Sequence, residues 1–103
     1  MQYSLDIYGN KADLLLDILS MNCRKRRLEK GLSRKHLSEI SDVPAPTIAK
    51  FEQTGKISLE SFSRIADSLG YYDELYKVFL EPKYKTIEEL ETIQRNYSRS
   101  KGR

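Results

Sequence analysis

Apolar residues recur at three- and four-residue intervals along most of this chain, the period of helices that each bury one face. From about residue 11 to 30, Leu15, Ile18, Leu19 and Cys23 form such a stripe; Asn10 stands before it as a cap, Asp13 lies in its first turn and Gly31 ends it. A second segment, about 34–41, opens on Ser33 and carries Leu37 and Ile40. A break at Asp42-Val43-Pro44 follows, where Asp42 can take the left-handed conformation that a helix end often requires. The third segment starts at Pro44 or Pro46 and runs to about Gln53, with Ile48 and Phe51 inward and Thr54-Gly55-Lys56 as a turn. Ser58 caps a fourth helix bearing Leu59, Phe62, Ile65, Ala66 and Leu69, which Gly70 stops. A fifth, roughly 71–81, presents Tyr72, Leu75, Tyr76 and Phe79 up to Pro82. Thr86-Ile87-Glu88-Glu89 is a capping-box pattern that starts a sixth helix to about residue 96, with Ile87, Leu90 and Ile93 on one narrow apolar face.

Only residues 2–8 depart from this period. Tyr3, Leu5 and Ile7 alternate with Ser4 and Asp6, the pattern of a strand or of an apolar arm laid on the helices. The expected fold is therefore all-α. Residues 1–10 form an arm, 11–81 a helical domain, and 82–103 an extra helix with a basic tail that awaits an anionic partner.

Charge changes the picture through its placement. The net charge of +3 says little, but residues 24–56 carry nine Lys/Arg against four Asp/Glu, and 95–103 carry four basic residues and no acid. Between them, residues 57–94 carry four basic residues against eight acids. Clustered positive charge of this kind suits a phosphate backbone, against the plainer reading of an ordinary solvated surface. The run Arg24-Lys25-Arg26-Arg27 has two readings as well: cations favoured at a helix C-terminus, or phosphate contacts.

Other chemistry is sparse. Cys23 is the only cysteine, so no disulfide forms within the chain, and its position four residues after Leu19 marks it as packing. His36 is the only histidine and has no companion ligands for a metal. Glu88 and Glu89 read as cap and solvated face, and no phosphate loop or nucleophile constellation appears, so neither a cofactor nor an enzyme is expected. The N-terminus lacks a signal-peptide pattern, and the longest apolar run, Leu14–Leu16, is far too short to span a bilayer. A cytoplasmic, nucleoid-associated protein is the expectation.

Two short helices joined by a three- or four-residue turn match the helix-turn-helix motif, whose second helix enters the DNA major groove. Ser33 would leave backbone N–H groups open to a phosphate at the start of the second helix, with Arg34 neutralising it and Lys35 beside it. Ala45, Pro46 and Lys50 would face the bases, and Thr47, Gln53, Thr54 and Lys56 complete the expected DNA-contacting set. Ala45 and Pro46 could read only a thymine methyl or groove shape, whereas Lys50 can reach guanine O6/N7. Few polar base contacts mean modest specificity per half-site, so DNA shape and a second copy of the protein must supply the rest.

The stretch GLSRKHLSEISDVPAPTIAKFEQTGKISLESFSRIADSLG resembles the Cro/CI-type (XRE) helix-turn-helix domain in its Gly-Leu-Ser entry, Thr-Ile recognition-helix start, Phe-Glu end and Ile-Ala-x-x-Leu-Gly fourth helix. The resemblance covers about residues 12–80. It implies a five-helix bundle, a homodimer and a palindromic double-stranded DNA operator. It also implies a phosphate-binding role at Arg34 and a structural ion pair between Glu52 and an Arg late in helix 1, Arg27 first and Arg24 second. Ser38, Asp42 and Pro44 depart from the family pattern, and Pro44, standing where a Ser cap is common, leaves the exact start and pose of helix 3 open. Phe51–Ser61, Phe79–Pro82, Ile87–Leu90 and the basic tail are further similar to antitoxin-like regulators encoded beside HipA-type kinases, which repress their own toxin-antitoxin operon and bind the toxin. The competing reading is a protein-interaction module that neutralises such a partner through Ile87, Leu90 and Ile93.

Overall fold

A computed structural model describes residues 10–99. Six helices lie among them: α1 (Lys11–Glu29), α2 (Arg34–Ser41), α3 (Ala45–Thr54), α4 (Leu59–Ser68), α5 (Tyr72–Tyr76) and α6 (Ile87–Arg99). The fold is an all-α helix-turn-helix bundle with an additional C-terminal helix. The alternating segment at residues 2–8 and the end of the basic tail lie outside the described residues.

Local chemistry sets the helix ends. Asn10 Oδ1 accepts the Asp13 N–H at 2.8 Å, Ser33 Oγ accepts that of His36 at 3.0 Å, and Ser58 Oγ accepts that of Ser61 at 3.1 Å. α1 closes in a Schellman motif: the Leu32 N–H donates to the Arg27 carbonyl and the Gly31 N–H to that of Leu28, with Gly31 at φ 70°. Asp42 takes the left-handed conformation at φ 60° and donates its N–H to the Ser38 carbonyl, so α2 stops there and the chain turns into α3. Pro44 is the residue before α3; it contributes no side-chain cap, and its carbonyl accepts the N–H groups of Thr47 and Ile48.

α1 packs on α3, α2 on α3 and α4, and α4 on α5. Leu37, Val43, Ile48, Phe51 and Ile65 are fully buried where these helices meet, joined by Cys23 and Leu69. Leu32, Ile57 and Phe62 close the edges; the Phe62 ring stands edge-on to Phe51 with centroids 5.7 Å apart. Each large side chain taken out of water here stabilises the bundle by roughly 1.5–3 kcal/mol. Gly55 lets α3 approach α1. It sits at φ 76°, and a Cβ there would lie 3.1 Å from the backbone carbonyl carbon of Leu16.

Several periodic positions are not core. Leu15 is 53 % exposed, Ile40 52 % and Leu59 75 %, because α1, α2 and α4 each have one side covered and these residues point off it. The fifth helix is one short turn rather than an 11-residue element. After Lys77 the chain turns out of the helix, Phe79 adopts φ 60°, and Tyr72, Tyr76 and Phe79 are exposed, leaving Leu75 as the half-buried residue of that face. α6 is longer than its apolar face predicts. Thr86 Oγ1 accepts the Glu89 N–H at 3.1 Å, and helix continues through Asn96 to Arg99.

Candidate nucleic-acid interface

The helix-turn-helix unit is pinned by charge as well as by apolar packing. The Arg27 side chain is 6 % exposed and that of Glu52 1 %. Arg27 Nε and Nη2 donate to the two oxygens of Glu52 at 2.7 and 2.9 Å, and Nη1 donates to the Leu32 carbonyl at 2.8 Å. This bidentate fork ties the end of α1, the loop before α2 and the last turns of α3 into one unit. Arg34, the first residue of α2, places Nε 3.0 Å from Glu52 Oε1, and Arg24 Nε stands 3.9 Å from the same oxygen. Three guanidinium groups thus surround one carboxylate, and the cluster keeps a positive excess.

The electrostatics of the cluster follow from its burial. Burial pushes the Glu52 carboxyl up, but the hydrogen bonds from Arg27 and Arg34 outweigh it and hold the group below the usual carboxylate range. The Glu52 hydrogen bond keeps Arg27 firmly charged despite its burial. Cys23, beneath them, has its thiol pushed up to about 11, chiefly by burial and further by Glu52, against the opposing pull of Arg27. It is a neutral packing group at pH 7.

On the outer side of α3, Pro46, Lys50, Gln53, Thr54 and Lys56 are exposed, while Ala45 and Thr47 are half-buried. Lys50 and Lys56 make no ion pair among the described residues. Thr54 is engaged within the chain: its hydroxyl donates to the Lys50 carbonyl at 2.7 Å and accepts the Lys56 N–H at 3.2 Å, which shapes the exit from α3. At the start of α2, Ser33 serves the His36 N–H, and Lys35 is exposed beside the Arg34 guanidinium. Arg34 has a second task that sequence reasoning missed, since it completes the coordination of Glu52. Eighteen positions separate the two residues, and no local pattern signals the contact. A second unpredicted link joins Arg64 of α4 to Asp42 at 3.4 Å and to Glu60 at 2.9 Å, steadying the turn between α2 and α3. In α6, Ile87 is 74 % exposed, and Leu90 and Ile93 are half-buried.

No described helix is long and apolar enough to cross a membrane. Searches of curated proteins and of solved structures give no match to the chain. A family model described as Helix-turn-helix matches residues 24–76, which is just over half of the 103 residues and takes in the Arg27–Glu52 pair, both helices of the motif and α4. The chain belongs to this helix-turn-helix family, the XRE-type DNA-binding transcription regulators.

Proposed function

We propose that the protein is a transcriptional repressor that binds double-stranded DNA sequence-specifically, as a dimer on a palindromic operator. The observation that carries this reading is the free outer flank of α3, where Pro46, Lys50 and Gln53 are exposed on a helix held rigidly from behind by Ile48, Phe51 and Glu52. A side chain reads base edges well only when its backbone is fixed, and the buried fork fixes this one. Lys50 is the base-reading residue, with Ala45, Pro46, Thr47 and Gln53 shaping the contact. Ser33, Arg34, Lys35, Thr54 and Lys56 form the phosphate-facing rim. Autorepression of a toxin-antitoxin operon, with a HipA-type kinase toxin as partner, is the narrower form of the same reading. A kinase-like gene beside this one supports that form, and a neighbourhood without one removes it.

The separate roles predict separate effects. In fluorescence anisotropy with labelled duplexes, affinity falls steeply with salt. Lys35→Ala weakens binding about equally on all sequences, and Lys50→Ala changes which sequence is preferred. Arg34→Ala weakens all sequences alike and also lowers stability, because it removes one of the donors to Glu52. Indistinguishable effects of Lys35→Ala and Lys50→Ala across operator and scrambled DNA contradict the assignment.

A further inference from the structure

The run Arg24-Lys25-Arg26-Arg27 has two readings in the sequence, and the fold gives its four residues different surroundings. Arg27 is buried in its fork with Glu52. Arg26 turns back along α1, with Nε 3.1 Å from Glu29 Oε1. Lys25 is exposed and makes no ion pair among the described residues. Arg24 differs from all three. It lies three residues before Arg27, on the same face of α1, and so its side chain reaches toward the start of α2. Its Nε is 3.9 Å from Glu52 Oε1, the same oxygen that Arg34 Nε approaches to 3.0 Å. Arginines of two different helices thus converge on one oxygen atom.

That oxygen already has a partner. Arg27 donates to both oxygens of Glu52, at 2.7 and 2.9 Å, and one guanidinium neutralises one carboxylate. Arg24 and Arg34 therefore bring two positive charges that no further acid among the described residues balances. Their distances to Oε1 keep the two Nε atoms within about 7 Å of each other, and like charges that close repel. The Glu52 side chain is 1 % exposed, whereas those of Arg24 and Arg34 are 56 % and 39 % exposed. The Nη groups of both arginines make no hydrogen bond among the described residues. Glu52 thus holds the inner edges of two guanidinium groups and leaves their outer edges to solvent. A phosphate diester suits this pair. It carries one negative charge, and its two free oxygens can each accept a charge-assisted bond of about 2.7–2.9 Å, one from each arginine. Arg34 precedes the exposed Lys35, and Glu52 precedes the exposed Gln53, so the pair borders the surface assigned above to DNA.

We propose that Arg24 and Arg34 clamp a single DNA backbone phosphate from two helices, with Glu52 as the positioning residue that holds both arms. The clamp rests on the DNA-binding reading above and adds to it a residue of α1, which lies outside the two helices of the motif. Arg24 reads no base in this role. It fixes the register of α3 on the duplex, because the Arg27–Glu52 fork ties α1 to α3. Lys25 and Arg26 are left as surface cations near the end of their helix.

Fluorescence anisotropy of the full chain with a labelled duplex of random sequence tests the clamp, since a phosphate contact needs no operator. Arg24→Ala lowers affinity roughly tenfold at low ionic strength, as loss of a charge-assisted hydrogen bond does, and reduces the salt slope by about one. Its thermal unfolding stays unchanged, because Arg27 still satisfies Glu52. Lys25→Ala and Arg26→Ala remove the same charge from the same run, and each lowers affinity less than about threefold. The double variant Arg24→Ala/Arg34→Ala loses less than the product of the two single losses, because either single change already opens the clamp. An Arg24→Ala loss no greater than that of Lys25→Ala or Arg26→Ala leaves only the general field of α1, and overturns the clamp while the DNA-binding reading stands. Strictly multiplicative losses in the double variant assign the two arginines to separate phosphates and overturn it in the same way. A wild type that binds no duplex at low ionic strength overturns both.

Discussion

The bundle from α1 to α4 and the segment after Gly70 have similar proportions of apolar residues and use them to opposite ends. In the bundle, Leu37, Ile48, Phe51 and Ile65 are fully enclosed, and even a charged pair, Arg27 with Glu52, is taken inside. After Gly70, Tyr72, Tyr76, Val78, Phe79, Leu80 and Ile87 are exposed, and α6 touches its own chain mainly along the groove beside Phe79. Enclosure gives the first region a structure it can hold alone, because each apolar group has partners on several sides. The second region has a well-formed helix and capping box but little to bury them against, so its apolar surface is available for association. A rigid helical bundle and an open apolar segment are therefore separate parts of a chain of 103 residues.

The contrast is sharpest for two substitutions of comparable size. Glu52→Ala leaves Arg27 buried and unpaired, and in urea denaturation it costs about 3–5 kcal/mol of unfolding free energy. Phe79→Asn removes a larger side chain and, measured at concentrations where the chain is single, changes that free energy by less than about 0.5 kcal/mol. A similar cost for both substitutions breaks the distinction between the regions. Gly55→Ala probes the same point through the backbone. The added methyl meets Leu16 at 3.1 Å and the left-handed φ of 76° disfavours any side chain, so the loss is about 1–2 kcal/mol or more, with DNA affinity falling as α3 shifts on α1.

The smallest effect is in pH. Because the folded carboxyl of Glu52 titrates below its ordinary value of 4.5, its contribution is fully present above that pH and is lost as the pH falls through the lower, folded value. Wild-type stability therefore declines as the pH falls from about 4.5, and Glu52→Gln, less stable at pH 7, declines less steeply over the same range. Parallel curves for the two proteins contradict the assigned titration.

Much of the bundle was legible in the sequence because its signals are local. Ser33 and Ser58 before apolar-periodic runs, Gly31 and Gly70 after them, and the Leu37–Val43–Ile48–Phe51 spacing each act within a few residues. The link between Arg27 and Glu52 was legible only through family resemblance, since 25 positions separate the two. What periodicity cannot supply is the count of neighbours. Leu15, Ile40 and Leu59 lie at helical spacing, but a helix on the outside of a small bundle has only one side to cover, and these residues fall beyond it. The fifth helix was overestimated for a related reason: Tyr72, Tyr76 and Phe79 keep the period while no second element stands opposite to hold the later turns. The motif put the expected base-facing residues on α3, and of these Pro46 and Lys50 are exposed there while Ala45 is half-buried. The dual use of Arg34, spread over two helices, had no sequence signal.

Selection from a randomised pool of duplexes tests the central claim, that the outer flank of α3 reads DNA, most directly. Wild type is predicted to enrich a two-fold-symmetric sequence whose half-sites lie about 34 Å apart, or a multiple of it. Lys50→Ala is predicted to enrich a sequence altered at the same position in each half. Enrichment of no sequence at low ionic strength, or of an identical sequence by both proteins, contradicts it.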